Sequence, residues 1–403
     1  MNAGTSNFLN ASRWVAAFFV VFYHVYNLSF TRDHLANYGF LYRCLHFLGG
    51  FGHTAVIVFF VISGFLVGGR NILDIKTKKF DVVEYFVHRF SRIYVVFIPA
   101  LIIGFMMDRL GIRLFNASGI YNHPDPFYSN PFGNNIAKHL SFDTFVGNVA
   151  QLQTISVSSL GSNGPLWSLA NEWWYYVLFG LALVTCCSAR LLTRIIAAGV
   201  ILGMLTLLPL TISLWFMIWA IGAGVAVLDR YWAGWHFLFG ATIAIVCLTA
   251  ARWIDARQIF PPGMDSDFAV DLMAALGYSA ALICAKNLKT PRKLWSLHRA
   301  LASFSYTVYL VHFPALIFFA AMMKDVFNIG FLQQPSMTAI IYAGALVAII
   351  YGYAWIFAVF TEARTDAVRS RLSLVVSALH HRVNSLVHTR ADAMVAVPAN
   401  NDR

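Results

Sequence analysis

Charge is what this chain has least of. Only 12% of its 403 residues are Asp, Glu, Lys or Arg, against roughly 25% in a soluble domain. A chain so poor in charge cannot build a water-facing surface, which excludes a soluble enzyme. Cysteine is scarce as well. Cys44, Cys186, Cys187, Cys247 and Cys284 are odd in number and lack metal-ligand spacing, so they read as fillers of apolar helices rather than as a disulfide or zinc framework. No internal repeat is visible, which removes a common mark of transporters built from two related halves. No small-residue cleavage site follows the first apolar stretch, Trp14 to Leu28, so that stretch reads as a retained helix and not a secretory signal.

Apolar sequence is what the chain has in excess: 59% hydrophobic residues and a mean hydropathy of +0.65. Runs of the roughly 20 residues needed to cross a bilayer recur from Phe8 to Phe360. The pattern predicts an all-α, polytopic transmembrane bundle of about ten helices, near 13–30, 52–69, 93–110, 166–184, 195–209, 213–228, 236–251, 268–285, 302–323 and 337–360. With a cytoplasmic N-terminus, 21 of the 29 Lys and Arg fall on inside segments and 8 outside, which fits an N-in, C-in topology. The net charge of +11 therefore reports membrane orientation and contact with lipids, not nucleic acid. Residues 1–365 form one membrane domain. Residues 366–403 form a cytoplasmic tail, amphipathic to about His388 and then disordered. Residues 111–165 are expected to be an extracytoplasmic loop, too polar to insert and long enough to cover or line a site.

Ionisable groups at membrane depth are costly and tend to be functional. Arg13 stands at the cytoplasmic end of the first helix, and His24 follows eleven residues later. That spacing keeps both on one stripe with a rise of about 16 Å. Phe59-Phe60-Val61-Ile62-Ser63-Gly64 places Ser63 and Gly64 near mid-membrane, where small residues usually serve helix packing. Arg89 and Arg92 are three apart, neighbours on one face that can grip phosphate oxygens. Glu172 falls about two turns, roughly 9 Å, into a helix entering from outside. His312 and Tyr309 share a face of the ninth helix. His24, His88 and His312 lie on different helices, so no metal site is expected.

The strings Arg13-x10-His24, Phe60-Val61-Ile62-Ser63-Gly64-Phe65, Arg89-x2-Arg92, Leu166-Trp167-Ser168-Leu169-Ala170-Asn171-Glu172 and Ser305-Tyr306-x2-Tyr309-Leu310-x-His312 together resemble the acyltransferase family 3 membrane proteins, over residues 13 to about 360. The resemblance implies an O-acyltransferase, in many members an acetyltransferase, of the bacterial inner membrane. Acyl-coenzyme A is then the donor, no cofactor is held permanently, and the acceptor is a hydroxyl of a surface, secreted or lipid-linked glycan. It makes His24 the catalytic histidine and gives Arg89 and Arg92 to the coenzyme A site, with Arg13 in the first-helix motif. Many relatives carry a proline soon after the paired arginines, whereas here it comes only at Pro99. The fused extracytoplasmic domain of some relatives is missing. Glu172 is expected to orient His24 or bind the acceptor hydroxyl, and Ser63, Tyr309 and His312 to support an oxyanion. Direct transfer and an acyl-histidine intermediate both stay open. The other class to weigh is a transporter or flippase of a lipid-linked glycan.

Overall fold

The computed structural model describes residues 1–31, 39–76, 80–121, 136–231, 236–257, 259, 263–330 and 333–378. Among them there are helices and no strands. Each of the ten expected spans is a helix. Eight are long and apolar enough to cross a membrane: α1 (Ala3–Ser29), a run built from α3 (Gly52–Ser63), a π turn and α4 (Gly69–Lys76), α5 (Val82–Leu114), α9 (Leu210–Tyr231), α10 (Phe237–Arg257), α11 (Met264–Cys284), α13 (Ser305–Phe327) and α14 (Met337–Phe360). α7 (Trp167–Cys187) and the shorter α8 (Leu191–Leu207) complete the set. Short α2 (Phe40–Gly49) and α6 (Phe142–Val149) lie between spans.

Ends differ from expectation more than centres do, because hydropathy marks only the apolar part of a helix. α5 starts eleven residues before its expected onset at residue 93, where Asp81 accepts hydrogen bonds from the Val83 and Glu84 amides and caps the helix. Its 33 residues span about 50 Å against a hydrocarbon core of about 30 Å. Arg89 and Arg92 therefore lie inside a helix, at the headgroup level. Residues 286–301, expected as a loop, contain the amphipathic α12 (Arg292–Ala302), tied to α1 where the Trp14 indole donates to His298 Nδ1 at 3.0 Å. Of the five cysteines only Cys284 is buried, and Cys186 and Cys187 are exposed at the end of α7, so filling the core explains one of them.

α13 is the central helix. Every residue from Thr307 to Ile317 is buried, as expected of a helix that is apolar all round. Ile245, Val246, Ile341 and Ile356 on α10 and α14 point outward, and only lipid accommodates such a surface. The protein is an integral membrane protein.

The segment expected to lie above the membrane instead folds into the bundle over its described residues 136–165; residues 122–135 lie outside the described set. Gln151, Gln153 and Asn148 are fully buried. Non-helical backbone survives at such depth only where protein partners satisfy it. Here Tyr94 donates to the Val149 carbonyl at 2.9 Å and Trp174 to that of Gln151 at 2.9 Å. Buried Asp108 accepts from both the amide and the hydroxyl of Ser162 at 2.7 and 2.8 Å. Pro314 in α13 has no amide proton to offer the Leu310 carbonyl, and the Asn163 side chain takes that place at 3.0 Å. Much of this polarity is met from within the protein, although Gln151 Nε2 and Gln153 Oε1 stay buried without a partner among the described residues.

Around the π turn Gly64–Gly68, α3 and α9 touch backbone to backbone. A Cβ at Gly64 would sit 1.8 Å from the Trp219 carbonyl oxygen, and one at Gly222 would sit 2.1 Å from that of Val61. Gly64→Leu should therefore destabilise the detergent-solubilised protein by about 1–3 kcal/mol, the usual cost of overpacking. Gly199→Ala, where nothing lies within 4 Å, should not. Thermal unfolding of both variants followed by thiol-reactive dye measures the difference.

Candidate active site

A cavity of about 430 Å³ opens where α5 and α13 begin and α14 ends, on the face that the charge distribution makes cytoplasmic. Six of the eight residues singled out from sequence line it: Arg13 from α1, Ser63 from α3, Arg89 and Arg92 from α5, Glu172 from α7 and Tyr309 from α13. His24 and His312 stand just behind. The His312 ring is 5.9 Å from that of Tyr309 and 5.2 Å from that of His24, between centroids.

Glu172 lies in the second turn of α7, just after the Trp167 that stacks on His53 of α3. The first turn of α7 is already level with Tyr309, to which Ser168 Oγ bonds at 2.5 Å, and Tyr309 is only one turn into α13. Ser168, Glu172 and Tyr176 follow at four-residue steps along one face of α7, descending toward the inner end. Glu172 thus shares the cavity of the arginines. Tyr176 donates to Glu172 Oε1 at 2.5 Å, Ser63 bonds Tyr176 at 3.0 Å, and the Trp219 indole donates to Ser63 at 3.0 Å. Since Tyr176 has given its one proton to Glu172, Ser63 donates to Tyr176. The Tyr309 proton is likewise committed, to the Pro165 carbonyl at 2.9 Å. Neither hydroxyl has a proton spare for an oxyanion in this arrangement.

The two histidines are free on the sides that matter. His312 Nδ1 lies 2.7 Å from the Tyr309 carbonyl oxygen. A carbonyl only accepts, so the proton sits on Nδ1 and Nε2 carries the lone pair. Nε2 is buried with no hydrogen-bond partner among the described residues. His24, held edge-on by Phe313 at 4.7 Å, forms no hydrogen bond among the described residues either.

The arginines divide their work. Arg92 Nη1 lies 3.1 Å and Arg13 Nη2 4.0 Å from Glu362 Oε1, while Glu362 Oε2 accepts from the Thr307 amide and hydroxyl at 3.0 and 2.9 Å. Arg92 also lies over the Tyr306 ring at 4.6 Å. Arg89 forms no ion pair among the described residues. Its guanidinium sits over Tyr176 at 5.6 Å, with Nε buried and unpartnered. It is the cation left for a ligand. Glu362 escaped the sequence reading, although an acid directly after a 24-residue apolar helix was a visible signal. Thr365, at the end of the expected membrane domain, and Asp366 and Arg369, assigned to the tail, also reach the cavity. The amphipathic character expected there continues as helix to residue 378, and the rest of the tail lies outside the described residues.

The pattern of the family described as acyltransferase domain matches residues 6–358. The chain belongs to this acyltransferase family. An O-acetyl transferase of Shigella phage Sf6 is 22% identical over 350 residues, 83% of this chain and 91% of that one. An uncharacterized protein of Haemophilus influenzae is 33% identical over 132 residues, 32% of this chain and 47% of its own length. No solved structure shows a significant match. The bundle described above is thus the framework of a membrane acyltransferase, and the cavity holding Arg13, Arg89, Glu172 and Tyr309 is the place in it with the chemistry of a site.

Glu362→Ala leaves Arg13 and Arg92 without their counter-charge. Breaking a buried pair costs about 3–5 kcal/mol. Arg92 is partly open to the cavity, with 37% of its side chain exposed against 6% for Glu362, so the lower end is expected. A lowered melting temperature with retained insertion, read by fluorescence-detected size exclusion after heating, checks it.

Proposed function

We propose that this protein is an O-acyltransferase of the bacterial inner membrane that moves an acyl group, acetyl in the simplest case, from cytoplasmic acyl-coenzyme A to a hydroxyl of a surface, secreted or lipid-linked glycan. The observation that carries this reading is one cavity lined by Arg89, by the Glu362-bound arginines and by Tyr309, with His312 and His24 standing behind Tyr309. Membership of the acyltransferase family supports acyl transfer as the reaction, and the O-acetyl transferase of the phage supports both oxygen as acceptor atom and acetyl as group.

In this reading Arg89, with its unpartnered Nε, binds coenzyme A phosphate oxygens, and Arg13 and Arg92 add positive charge at the mouth. The pantetheine arm runs along α1 from Arg13 to His24, about 16 Å by helical rise. The thioester carbonyl then sits beside the histidine pair. His24 takes the proton of the acceptor hydroxyl as its oxygen attacks that carbonyl. The tetrahedral intermediate collapses by breaking the carbon–sulfur bond, and the departing thiolate takes the proton from the histidinium to leave as free coenzyme A. His312 Nε2, unpartnered among the described residues, is the acceptor that an N–H of His24 would use, and that bond would orient His24 during the transfer. His312 cannot donate a hydrogen bond to an oxyanion from that atom. Glu172, fixed by Tyr176, keeps a carboxylate facing the arginines of the donor cavity.

Two outcomes check the proposal. Purified protein should release free thiol from acetyl-coenzyme A when a base-stripped surface polysaccharide is added, and His24→Ala should lower that rate by about 10²- to 10⁴-fold, the usual worth of a general base, while still binding coenzyme A. A flippase would release no thiol. Arg89→Ala should raise the KM for acetyl-coenzyme A by about 10- to 100-fold, as loss of a charged hydrogen bond does, and leave the KM for the polysaccharide alone; initial-rate kinetics read both constants.

A further inference from the structure

A second polar cavity, of about 330 Å³, lies among the opposite ends of the helices, between the start of α3, the start of α9, the end of α10 and the start of α11. The charge distribution makes this face extracytoplasmic. Nothing in the proposed chemistry uses its residues. At its base Asp271, only 4% exposed, receives two hydrogen bonds on one oxygen: His53 Nε2 is 2.8 Å and the Trp215 indole nitrogen 2.8 Å from Oδ2. Oδ1 accepts none among the described residues. The second carboxylate oxygen of a cavity-lining residue is thereby left without a protein partner among the described residues.

The walls add Asp255, Asp267 and Ser266. Arg252 crosses Gly50 so closely that a Cβ there would sit 1.8 Å from its Nε, and it is committed to Asp255 at 3.3 Å and the Phe47 carbonyl at 3.4 Å. Three carboxylates against one paired guanidinium leave a field that repels anions. A polyol suits it: carboxylate oxygens accept strongly from hydroxyl groups, and a volume near the lower bound of about 300 Å³ for small-ligand sites holds one or two sugar rings.

The position also fits. The ring of Tyr23 packs on Gly52, where a Cβ would lie 2.4 Å from it, so His53 and His24 stand at the same height on the two sides of that contact. His53 stacks on Trp167 at 6.0 Å, and the next residue, Ser168, bonds Tyr309 beside His312. Trp167 thus contacts His53 of this cavity, and its neighbour Ser168 lines the donor cavity.

We infer that the cavity around Asp271, His53 and Trp215 is the acceptor subsite, where hydroxyls of a neutral or amino sugar are held on the extracytoplasmic side while the neighbouring hydroxyl is delivered past Trp167 to His24. The inference rests on the acyltransferase reading above and adds residues and a charge preference to it.

The test uses the full chain in lipid nanodiscs, with surface polysaccharide freed of its esters by mild alkali as the acceptor probe and acetyl-coenzyme A as donor. Asp267→Asn and Asp271→Asn should each weaken polysaccharide binding, read by calorimetry without donor, and raise its KM by about 10-fold or more. Ser266→Trp, which fills the cavity from its exposed side, should abolish binding. Unchanged coenzyme A affinity in each variant shows that it is folded. Polysaccharide affinity unchanged in Asp267→Asn and Ser266→Trp would overturn the inference, and so would a fall in kcat with both KM values unchanged, which is the mark of a structural cluster. Binding that is lost in the variants while the wild type releases no thiol would keep the sugar site and remove the transferase reading instead.

Discussion

Six consecutive residues of α13 hold this molecule together, because each offers a polar group at a depth where water cannot answer it or packs beside one that does. Thr307 binds Glu362 and through it Arg92 and Arg13. Tyr309 takes the proton of Ser168 and gives its own to the Pro165 carbonyl. Leu310 offers the carbonyl that Pro314 leaves open, and Asn163 closes it. His312 spends one nitrogen on the Tyr309 carbonyl and keeps the other for its neighbour His24. The requirement that polar groups in lipid be satisfied from within therefore fixes α7 and the segment before it against α13. The same bonds that stabilise this junction aim His312.

Two polar recesses open on that arrangement among the described residues. The inner one is basic and is bounded by the Glu362 cluster. The outer one is acidic and is bounded by Asp271. Between them stand Trp167 and the pair formed by Tyr309 and His312, with His24 alongside. A transferase that spans a membrane needs both substrates to reach one atom without opening a path for ions, and a junction of packed aromatic residues serves that need. Under the proposed function, the opposite charge of the two recesses favours a polyphosphate donor in the inner one and disfavours it in the outer one.

Much of this was legible beforehand, for identifiable reasons. The spans follow from apolar run length, and Arg13, Ser63, Arg89, Arg92, Glu172 and Tyr309 reach one cavity because helical spacing sets which residues share a face. The depth of α7 was not legible, since nothing local in Gly164-Pro165-Leu166 says that the helix starts level with Tyr309. Nor was the inward course of residues 136–165, where Gln151 and Gln153 look soluble until Trp174 is seen to meet the Gln151 carbonyl and the Leu166 carbonyl the Gln153 side chain. Glu362, His53 and Asp271 depend on contacts over some 200 to 350 residues of sequence separation. Such pairings leave no periodic trace.

The central claim is that donor and acceptor approach from opposite faces and meet at His24. Proteoliposomes carrying the protein in one known orientation, with acetyl-coenzyme A sealed on one side and polysaccharide supplied on the other, measure this directly. Acylation of the polysaccharide is predicted only when acetyl-coenzyme A is on the side of Arg89 and the polysaccharide on the side of Asp271. Acylation that requires both substrates on the same side would contradict the account.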